Sequence, residues 1–215
     1  EIKRHFAFFA DDRFPNLNSD NEYARTAGDL ARIQARMLRS QPESRNYPEI
    51  VVGSGKFTGT CDSKVESLGQ YNRKQGCRAI QINFEAQGLT YEKPIEVATV
   101  LAHEYAHHLT DITVGIDTIS GLEAELIADC FAGVVHGYWD KYGKITEDDV
   151  KAAALMMIQV SKQEEMDTSD MHGDPGQRVG AFLAGALKAS GKDTAEFQNF
   201  CKGLERVIDF SRGLP

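Results

Sequence analysis

The spacing of hydrophobic residues differs between the two halves of the chain. In the first half, the short stretches 49–52 and 78–84 are apolar throughout or alternate between apolar and polar positions, which is typical of β-strands. From Pro94 onward, apolar residues recur every three or four positions, as on the buried face of a helix. This order predicts an α+β protein with a small mixed sheet followed by a mainly helical portion.

Helix-capping residues and prolines give the expected bounds of the helices. Pro94 suits the first turn of a long helix, because its missing N–H would have no helical partner there. Thr146 and Asp149 have the spacing of a capping box. The pattern predicts helices over residues 21–38, 94–111 and 120–142, from 146 onward, and over 177–190 and 194–210.

The remaining segments are expected to be less regular. Residues 1–20 are predicted to form an irregular lead-in, and the polar stretch 61–77 is predicted to be a loop. Ile80, Ile82 and Phe84 alternate with polar residues, which predicts a half-exposed strand. By analogy with peptide-binding sheets, an extended peptide could add to the edge of this strand.

Composition and charge exclude several classes of protein. The chain has 215 residues, 41% of them hydrophobic and 26% charged, and its mean hydropathy is −0.39. This size and composition suit one sizeable core. No apolar run approaches the ~18 residues that a membrane-spanning helix needs. The formal net charge of −8 lacks the basic footprint of a nucleic-acid-binding protein.

The four cysteines leave their own pairing open. They lie at Cys61, Cys77, Cys130 and Cys201, and none is part of a CxxC motif. Three pairings are compatible with four cysteines, and four buried thiols in a cytosolic protein are the alternative. A Cys61–Cys77 bridge, the option between nearest neighbours, would contribute ~3 kcal/mol through loop closure.

The most informative motif is His103-Glu104-Tyr105-Ala106-His107. Residues four apart on a helix differ by only ~40° around its axis, so both imidazoles project from one face and could bind one metal ion. Glu104 lies beside that face, where it could act on a metal-bound water without being a ligand. This HExxH arrangement is typical of zinc hydrolases.

A third protein ligand is needed if the fourth position is to hold water. Thr110 and Thr113 occupy the glycine and histidine positions of the metzincin motif, which excludes that class. Asp111 shares a helix face with His107, but a third ligand on the same helix would be sterically crowded. We therefore interpret Asp111 as a residue that supports a metal ligand without binding the metal itself. Asp117 lacks the sequence context of an aspartate-type zincin.

Glu125 is the best candidate for the third ligand. It lies 18 positions after His107, which leaves room for a turn and an antiparallel helix. Asp129 is four residues further on, where it could accept a hydrogen bond from the outer nitrogen of a ligating histidine and fix its tautomer. The surrounding residues 126–135 are largely apolar, which disfavours two ordinary solvated carboxylates.

These motifs resemble those of a bacterial neutral zinc metallopeptidase family of gluzincin type. The family pattern HExxHH followed by ELxADCFAG is matched by residues 103–108 and 125–133, and residues 172–178 resemble its HGSxxQR segment. The likeness extends over residues 47–201. The sequence departs from the family at Asp62 and at residues 78–80, on the expected substrate-facing rim.

The resemblance implies a zincin-like single domain over residues 47–215, with residues 1–46 packed on it. It implies a secreted or periplasmic location and Cys61–Cys77 and Cys130–Cys201 disulfides. We therefore expect a zinc-dependent endopeptidase that acts on peptide or protein substrates. His103, His107 and Glu125 would bind Zn²⁺, Glu104 would activate the metal-bound water, and Asp129 would orient a ligand.

Other polar residues have weaker roles in this hypothesis. His172 is the candidate for stabilising the tetrahedral intermediate, with Tyr105 and Tyr91 as alternatives. Arg178 is more simply explained as a helix-capping residue than as a partner of a site carboxylate. His108 and His136 are expected to be packed, non-ligating histidines.

Two other classes of function remain compatible with the sequence. One is a non-catalytic zinc-binding protein of zincin fold that acts as a binding module, although such a site would not need Glu104. The other is a helical interaction protein without a metal.

Overall fold

The structure, a computed structural model, describes most of the chain. The described residues are 8–9, 30, 33–34, 47–53, 57–58, 61, 64–65, 67–74, 77–86, 89–165, 173–191 and 195–212. The strands are β1 (Phe8–Phe9), β2 (Glu49–Gly53), β3 (Phe57–Thr58), β4 (Lys64–Val65), β5 (Gly69–Lys74), β6 (Cys77–Asn83), β7 (Glu85–Ala86) and β8 (Leu89–Thr90). The helices are α1 (Pro94–Thr113), α2 (Gly121–Lys141), α3 (Glu147–Glu165), α4 (Pro175–Ala189), α5 (Ala195–Phe200) and α6 (Leu204–Val207).

Four strands form one mixed sheet in the order β1-β2-β6-β5. Strands β1, β2 and β6 are parallel, with Ile50 opposite Ile80, and β5 is antiparallel to β6, with Tyr71 opposite Ile80. Two short hairpin-like pairs, β3-β4 and β7-β8, lie outside this sheet. The α+β prediction, with a small mixed sheet before a mainly helical portion, is confirmed.

The predictions for the stretch 61–77 and for the strand that contains Ile80 and Ile82, β6, are wrong. Strand β6 lies between β2 and β5 and is buried on both faces, since even Gln81 and Asn83 are at most 1% exposed. It is therefore neither half exposed nor an edge. The stretch 61–77 is not simply a loop, because it contains β4 and β5. Strand β5 is polar because it forms the outer strand and gains its order from pairing with β6.

The helix starts follow the capping signals. Glu96 accepts hydrogen bonds from the backbone N–H groups of Glu92 and Lys93 before α1, and Ser120 Oγ accepts one from Glu123 at the start of α2. The reciprocal bonds between Thr146 and Asp149 begin α3. The exposed polar ends of the helices are thus satisfied by local side chains.

One predicted helix is divided in two. The segment predicted over 194–210 consists of α5 and α6, which are separated by a turn at residues 201–203. Cys201 in this turn is tied to Cys130 of α2, and a Cβ on Gly203 would lie 2.7 Å from Ile127 Cγ1. The close approach to α2 therefore bends the chain where helical periodicity alone would continue it.

The described part of the N-terminal region contributes to the same core. Phe8 and Phe9 form β1, so the predicted lead-in is not irregular there. Leu30 and Ile33 are helical and fully buried, as expected for the first predicted helix. The other residues of both predictions lie outside the described part of the chain.

Helix α1 lies between the sheet and α2, and α2 packs in turn against α4. The contact between α2 and α4 is close because glycines face the opposing backbone. A Cβ on Gly133 would lie 1.8 Å from the carbonyl oxygen of Phe182, and one on Gly185 would lie 2.0 Å from that of Cys130. This contact fixes the position of α4 relative to α2.

Two disulfides link parts of the chain that are distant in sequence. Cys61 is bonded to Cys77 and Cys130 to Cys201, which are the pairings that the family resemblance implies. Among the described residues, we find no helix that combines the length and apolarity needed to cross a bilayer.

Substitution of Gly133 by Ala tests the α2–α4 contact. Alanine has the higher helix propensity by about 1 kcal/mol, but its methyl group would force two backbones apart. We expect Gly133→Ala to lower the free energy of unfolding by about 1–3 kcal/mol in denaturant titrations. Gly176→Ala is the control, because the added Cβ would meet no backbone atom and only one side-chain atom, Asp174 Oδ1, at 3.0 Å. Equal stability of the two variants would contradict the close contact.

His136 makes stability depend on pH. It is fully buried between Trp139 and Phe182, and its Nε2 lies 2.9 Å from Thr99 Oγ1, whose hydroxyl donates to Ile95. Burial lowers the pKa of His136 from 6.5 to about 3. Between these values the unfolded chain binds a proton that the folded chain does not, so acid favours unfolding.

We therefore expect His136→Gln to remove part of the acid sensitivity. As the pH falls from 6 to 4, the free energy of unfolding of the wild type should decrease by about 1.4 kcal/mol per pH unit more than that of the variant. Denaturant unfolding at several pH values measures both slopes. Parallel slopes would show that His136 is already protonated in the folded protein.

Candidate metal centre

Helix α1 brings three of the predicted site residues to one buried face. His103, Glu104 and His107 are 4%, 8% and 8% exposed. The Nε2 atoms of the two histidines lie 3.1 Å apart, as the four-residue spacing predicts. Apolar residues of α1 pack in the core on either side, so the imidazoles extend from a rigid, buried helix.

Helix α2 supplies the third predicted ligand. Glu125 Oε2 lies 3.2 Å from His103 Nε2, and Glu125 Oε1 lies 3.5 Å from His107 Nε2. The three candidate ligand atoms lie within 4.8 Å of one another. One metal ion placed among them could bind two imidazoles and a carboxylate, and the cluster could therefore hold a metal ion.

A buried ion-pair network supports this cluster from behind. The Nδ1–H of His103 donates to Asp129 Oδ1 at 2.9 Å, so Nε2 is the nitrogen that faces the cluster and could bind a metal ion. Arg178 donates to both oxygens of Asp129, through Nε at 2.7 Å and Nη2 at 3.1 Å. Its Nη2 also lies 3.2 Å from Glu125 Oε2. Asp129 and Arg178 are fully buried.

The charges of this network favour a cation between the ligands. Burial lowers the pKa of His103, but hydrogen bonds with Asp129 and Glu125 outweigh burial and raise this pKa well above 6.5. Burial lowers the pKa of His107 to about 4, so its imidazole is neutral at pH 7. A bound metal ion would take the place of the proton that the two carboxylates attract to His103.

The cluster lies on the floor of a solvent-open cleft with a volume of about 490 Å³. Strand β5 forms one wall, and the segment between α1 and α2 forms the other. Gly69 brings β5 close to the floor, since a Cβ there would lie 2.8 Å from Glu104 Oε1. The described lining residues are Gly69, Gln70, Tyr71, His103, Glu104, His107, Ile116, Asp117, Ile119, Ser120, Gly121, Ala124 and Glu125.

Three residues were expected to stabilise a reaction intermediate, and two of them lie elsewhere. His172 is outside the described part of the chain. Tyr105 is fully buried and its hydroxyl donates to Gln34, whereas Tyr91 donates to the carbonyl of Leu68. Neither tyrosine lines the cleft. Both side chains have structural roles that their sequence context does not indicate.

Asp111 and Arg178 also differ from their predicted roles. Asp111 is not an outer partner of a metal ligand, because it receives hydrogen bonds from Tyr71, Arg73 and Arg78. The capping interpretation of Arg178 is wrong as well. Its guanidinium is the buried partner of Asp129, and Asp174 caps α4 instead.

The histidines expected to be packed are indeed core residues. His108 is fully buried between the rings of Tyr71 and Tyr105, and His136 packs against Trp139 and Phe182. Tyr71 is a residue of the cleft that the sequence pattern did not predict. No sequence signal pointed to it, since β5 itself was not predicted.

Comparisons with models of protein families, with curated proteins and with solved structures give no match to this chain. The chemistry that the site could perform therefore has to follow from its geometry. That geometry consists of a three-ligand cluster, a carboxylate network behind it and an open cleft in front.

Substitution of Asp129 tests whether the buried network supports metal binding. Without the carboxylate, His103 loses its strong acceptor and Arg178 loses a charge partner. We expect Asp129→Asn to weaken the binding of Co²⁺, a spectroscopic probe ion, by about 10- to 100-fold in chelator competition. Asp111→Asn is the control, because Asp111 also pairs with arginine but contacts no candidate ligand. Equal affinities of both variants would contradict the supporting role.

Proposed function

We propose that this protein is a zinc-dependent peptide-bond hydrolase, an endopeptidase of zincin type. The observation that carries the proposal is the spacing of the His103, His107 and Glu125 side chains. The two Nε2 atoms lie 3.1 Å apart, Glu125 Oε2 lies 3.2 Å from His103 Nε2, and Glu125 Oε1 lies 3.5 Å from His107 Nε2. Ligands bound tetrahedrally to zinc at 2.0–2.1 Å are about 3.3 Å apart. The donor atoms are thus spaced as one zinc ion requires.

The donor set favours zinc over the hard cations. Two neutral imidazoles and one carboxylate are typical of catalytic zinc sites, whereas magnesium and calcium prefer oxygen ligands. Zinc bound here would polarise a substrate carbonyl and lower the pKa of a coordinated water. His103, His107 and Glu125 would hold the ion, and Asp129 would keep His103 in the tautomer that binds it.

Glu104 is positioned to act as the general base. Its carboxylate borders the cleft beside both histidines and is 8% exposed. It therefore lies within the cavity in which a water and a substrate carbonyl would meet. In the proposed reaction, a Glu104 oxygen takes a proton from the attacking water and delivers it to the leaving amine nitrogen. The peptide C–N bond breaks, and an acid and an amine are released.

Strand β5 provides the means of binding a peptide. Within the described sheet it is the outer strand, and its residues Gly69, Gln70 and Tyr71 line the cleft. A peptide in extended conformation can pair with such an edge through backbone hydrogen bonds, largely independently of its sequence. This mode of binding would place a backbone carbonyl over the proposed zinc site.

The disulfides support a location outside the reducing cytosol. Disulfides persist mainly in secreted and envelope proteins, and the two bridges here are compatible with an extracellular location. We propose that the protein acts in the periplasm, in the cell envelope or after secretion.

Substitution of Glu104 by Gln separates catalysis from metal binding. The variant keeps the size of the side chain but loses the base, and it leaves all three proposed ligands in place. We expect hydrolysis of unfolded casein by zinc-loaded Glu104→Gln to fall by at least about 100-fold. Metal analysis should still find one zinc ion per chain.

Glu123→Gln is the matched control, since Glu123 is on α2 but pairs with Arg206 away from the cleft. This variant should cleave casein as fast as the wild type. Equal cleavage by Glu104→Gln would remove this residue from the mechanism. A wild type that binds zinc but cleaves no peptide would instead indicate a zinc-binding module without catalysis.

A further inference from the structure

We propose that Arg73 and Arg78 form a subsite for a carboxylate at one end of the cleft. The subsite would make the enzyme prefer peptides with an acidic group about two to four residues from the cleaved bond. This inference rests on the proposed peptidase function and specifies the class of substrate.

The two arginines are held together by one buried carboxylate. Arg73 in β5 lies directly opposite Arg78 in β6. Asp111 lies between them with its side chain only 3% exposed, accepting from Arg73 Nη1 at 2.6 Å and from Arg78 Nε at 3.0 Å. One carboxylate balances only one of two adjacent guanidinium groups. The pair therefore has one positive charge left to be balanced from the cleft side.

At present an exposed side chain supplies that balance. Asp117 accepts a hydrogen bond from Arg73 Nη2, although the Asp117 side chain is 81% exposed. Exposed ion pairs contribute little to stability, so this carboxylate is readily exchanged for another. Asp111 also binds Arg73, so the guanidinium would keep one carboxylate partner if Asp117 were displaced. Asp117 thus occupies the position that a carboxylate of the substrate could take.

The subsite is connected to the cleft. Tyr71 and Asp117 both line the cleft; Tyr71 shares the partner Asp111 with Arg73, and Asp117 is itself a partner of Arg73. The Tyr71 hydroxyl donates to Asp111 at 2.9 Å, and Asp117 binds Arg73 directly. Arg73 follows Tyr71 by two residues and Gly69 by four along β5. At ~3.3 Å per residue, a paired peptide reaches Arg73 about two to four residues from the proposed zinc site.

The other charges of the cleft make this preference specific to position. Its remaining charged lining residues, among those described, are the carboxylates Glu104 and Glu125 and the two histidines. An acidic residue close to the cleaved bond would meet Glu104, which repels it. An acidic residue near Arg73 and Arg78 would meet guanidinium groups that bind carboxylates with strong, charge-assisted hydrogen bonds.

Paired peptides test the proposal with the zinc-loaded full chain. We would use quenched fluorescent octapeptides of Ala, Leu and Ser in which one position holds Glu or Gln. The ratio of kcat/KM for Glu over Gln should be about three to five when this position lies two to four residues from the cleaved bond on one side, because an ion pair with the partly exposed Arg73 is gained. Peptides that end in a free carboxylate or in an amide show whether the subsite binds the C-terminal carboxylate or a side-chain carboxylate.

Three variants identify the source of the preference. Arg73→Gln should reduce the ratio to about one, because the hydrogen bond to the substrate carboxylate is lost. Arg206→Gln removes another surface arginine, which is paired with Glu123, and should keep the ratio. Asp117→Asn should increase the ratio, because its carboxylate no longer competes, and the fold should be unchanged because this side chain is 81% exposed. A ratio near one at every position in the wild type would overturn the subsite.

A binding experiment separates this inference from the proposed function. Zinc-loaded Glu104→Gln protein is titrated with fluorescein-labelled versions of the same peptides, and the dissociation constants are measured by fluorescence anisotropy. Binding that is about three- to fivefold tighter for the Glu peptide, and that loses this preference when Arg73→Gln is added, supports the subsite even if no peptide is cleaved. Equal dissociation constants overturn it even if the wild type is an active peptidase.

Discussion

A carboxylate buried between an imidazole and a guanidinium is the interaction on which the site depends. Asp129 is fully buried, and a lone charge there would be strongly destabilising. Arg178 and His103 stabilise it with three hydrogen bonds of 2.7–3.1 Å. Arg178 reaches this position because the glycine contact between α2 and α4 brings the two backbones together. The fold and the candidate metal centre are therefore coupled, since the packing that orders the helices also orients the histidine.

The second constraint is the position of β5 over α1. Gly69 permits the strand to approach Glu104, and Gly69, Gln70 and Tyr71 form a wall of the cleft. The same strand carries Tyr71 and Arg73, which link the cleft to the buried Asp111. A single polar strand would thus combine three tasks in the proposed enzyme. It would confine the proposed general base, pair with the peptide backbone and place a positive charge at a defined distance along the substrate.

Much of the site could be predicted because its spacing is local. His103 and His107 share a helix face by geometry alone, and Glu125 and Asp129 repeat the same spacing on the next apolar helix. The strand β5 could not be predicted, since it has no apolar period and its order comes from pairing with β6. The buried role of Arg178 could not be predicted either, because it depends on a contact with a carboxylate 49 residues away in sequence.

The central claim is that His103, His107 and Glu125 together hold one zinc ion. X-ray absorption spectroscopy of the zinc-loaded protein tests this claim most directly, because it reports the number and type of coordinating atoms. We predict four nitrogen or oxygen ligands at about 2.0–2.1 Å, with the scattering signature of two imidazoles and with no sulfur. A six-coordinate shell of oxygen atoms without imidazole scattering would contradict the account, because the ion would then lie outside the cluster.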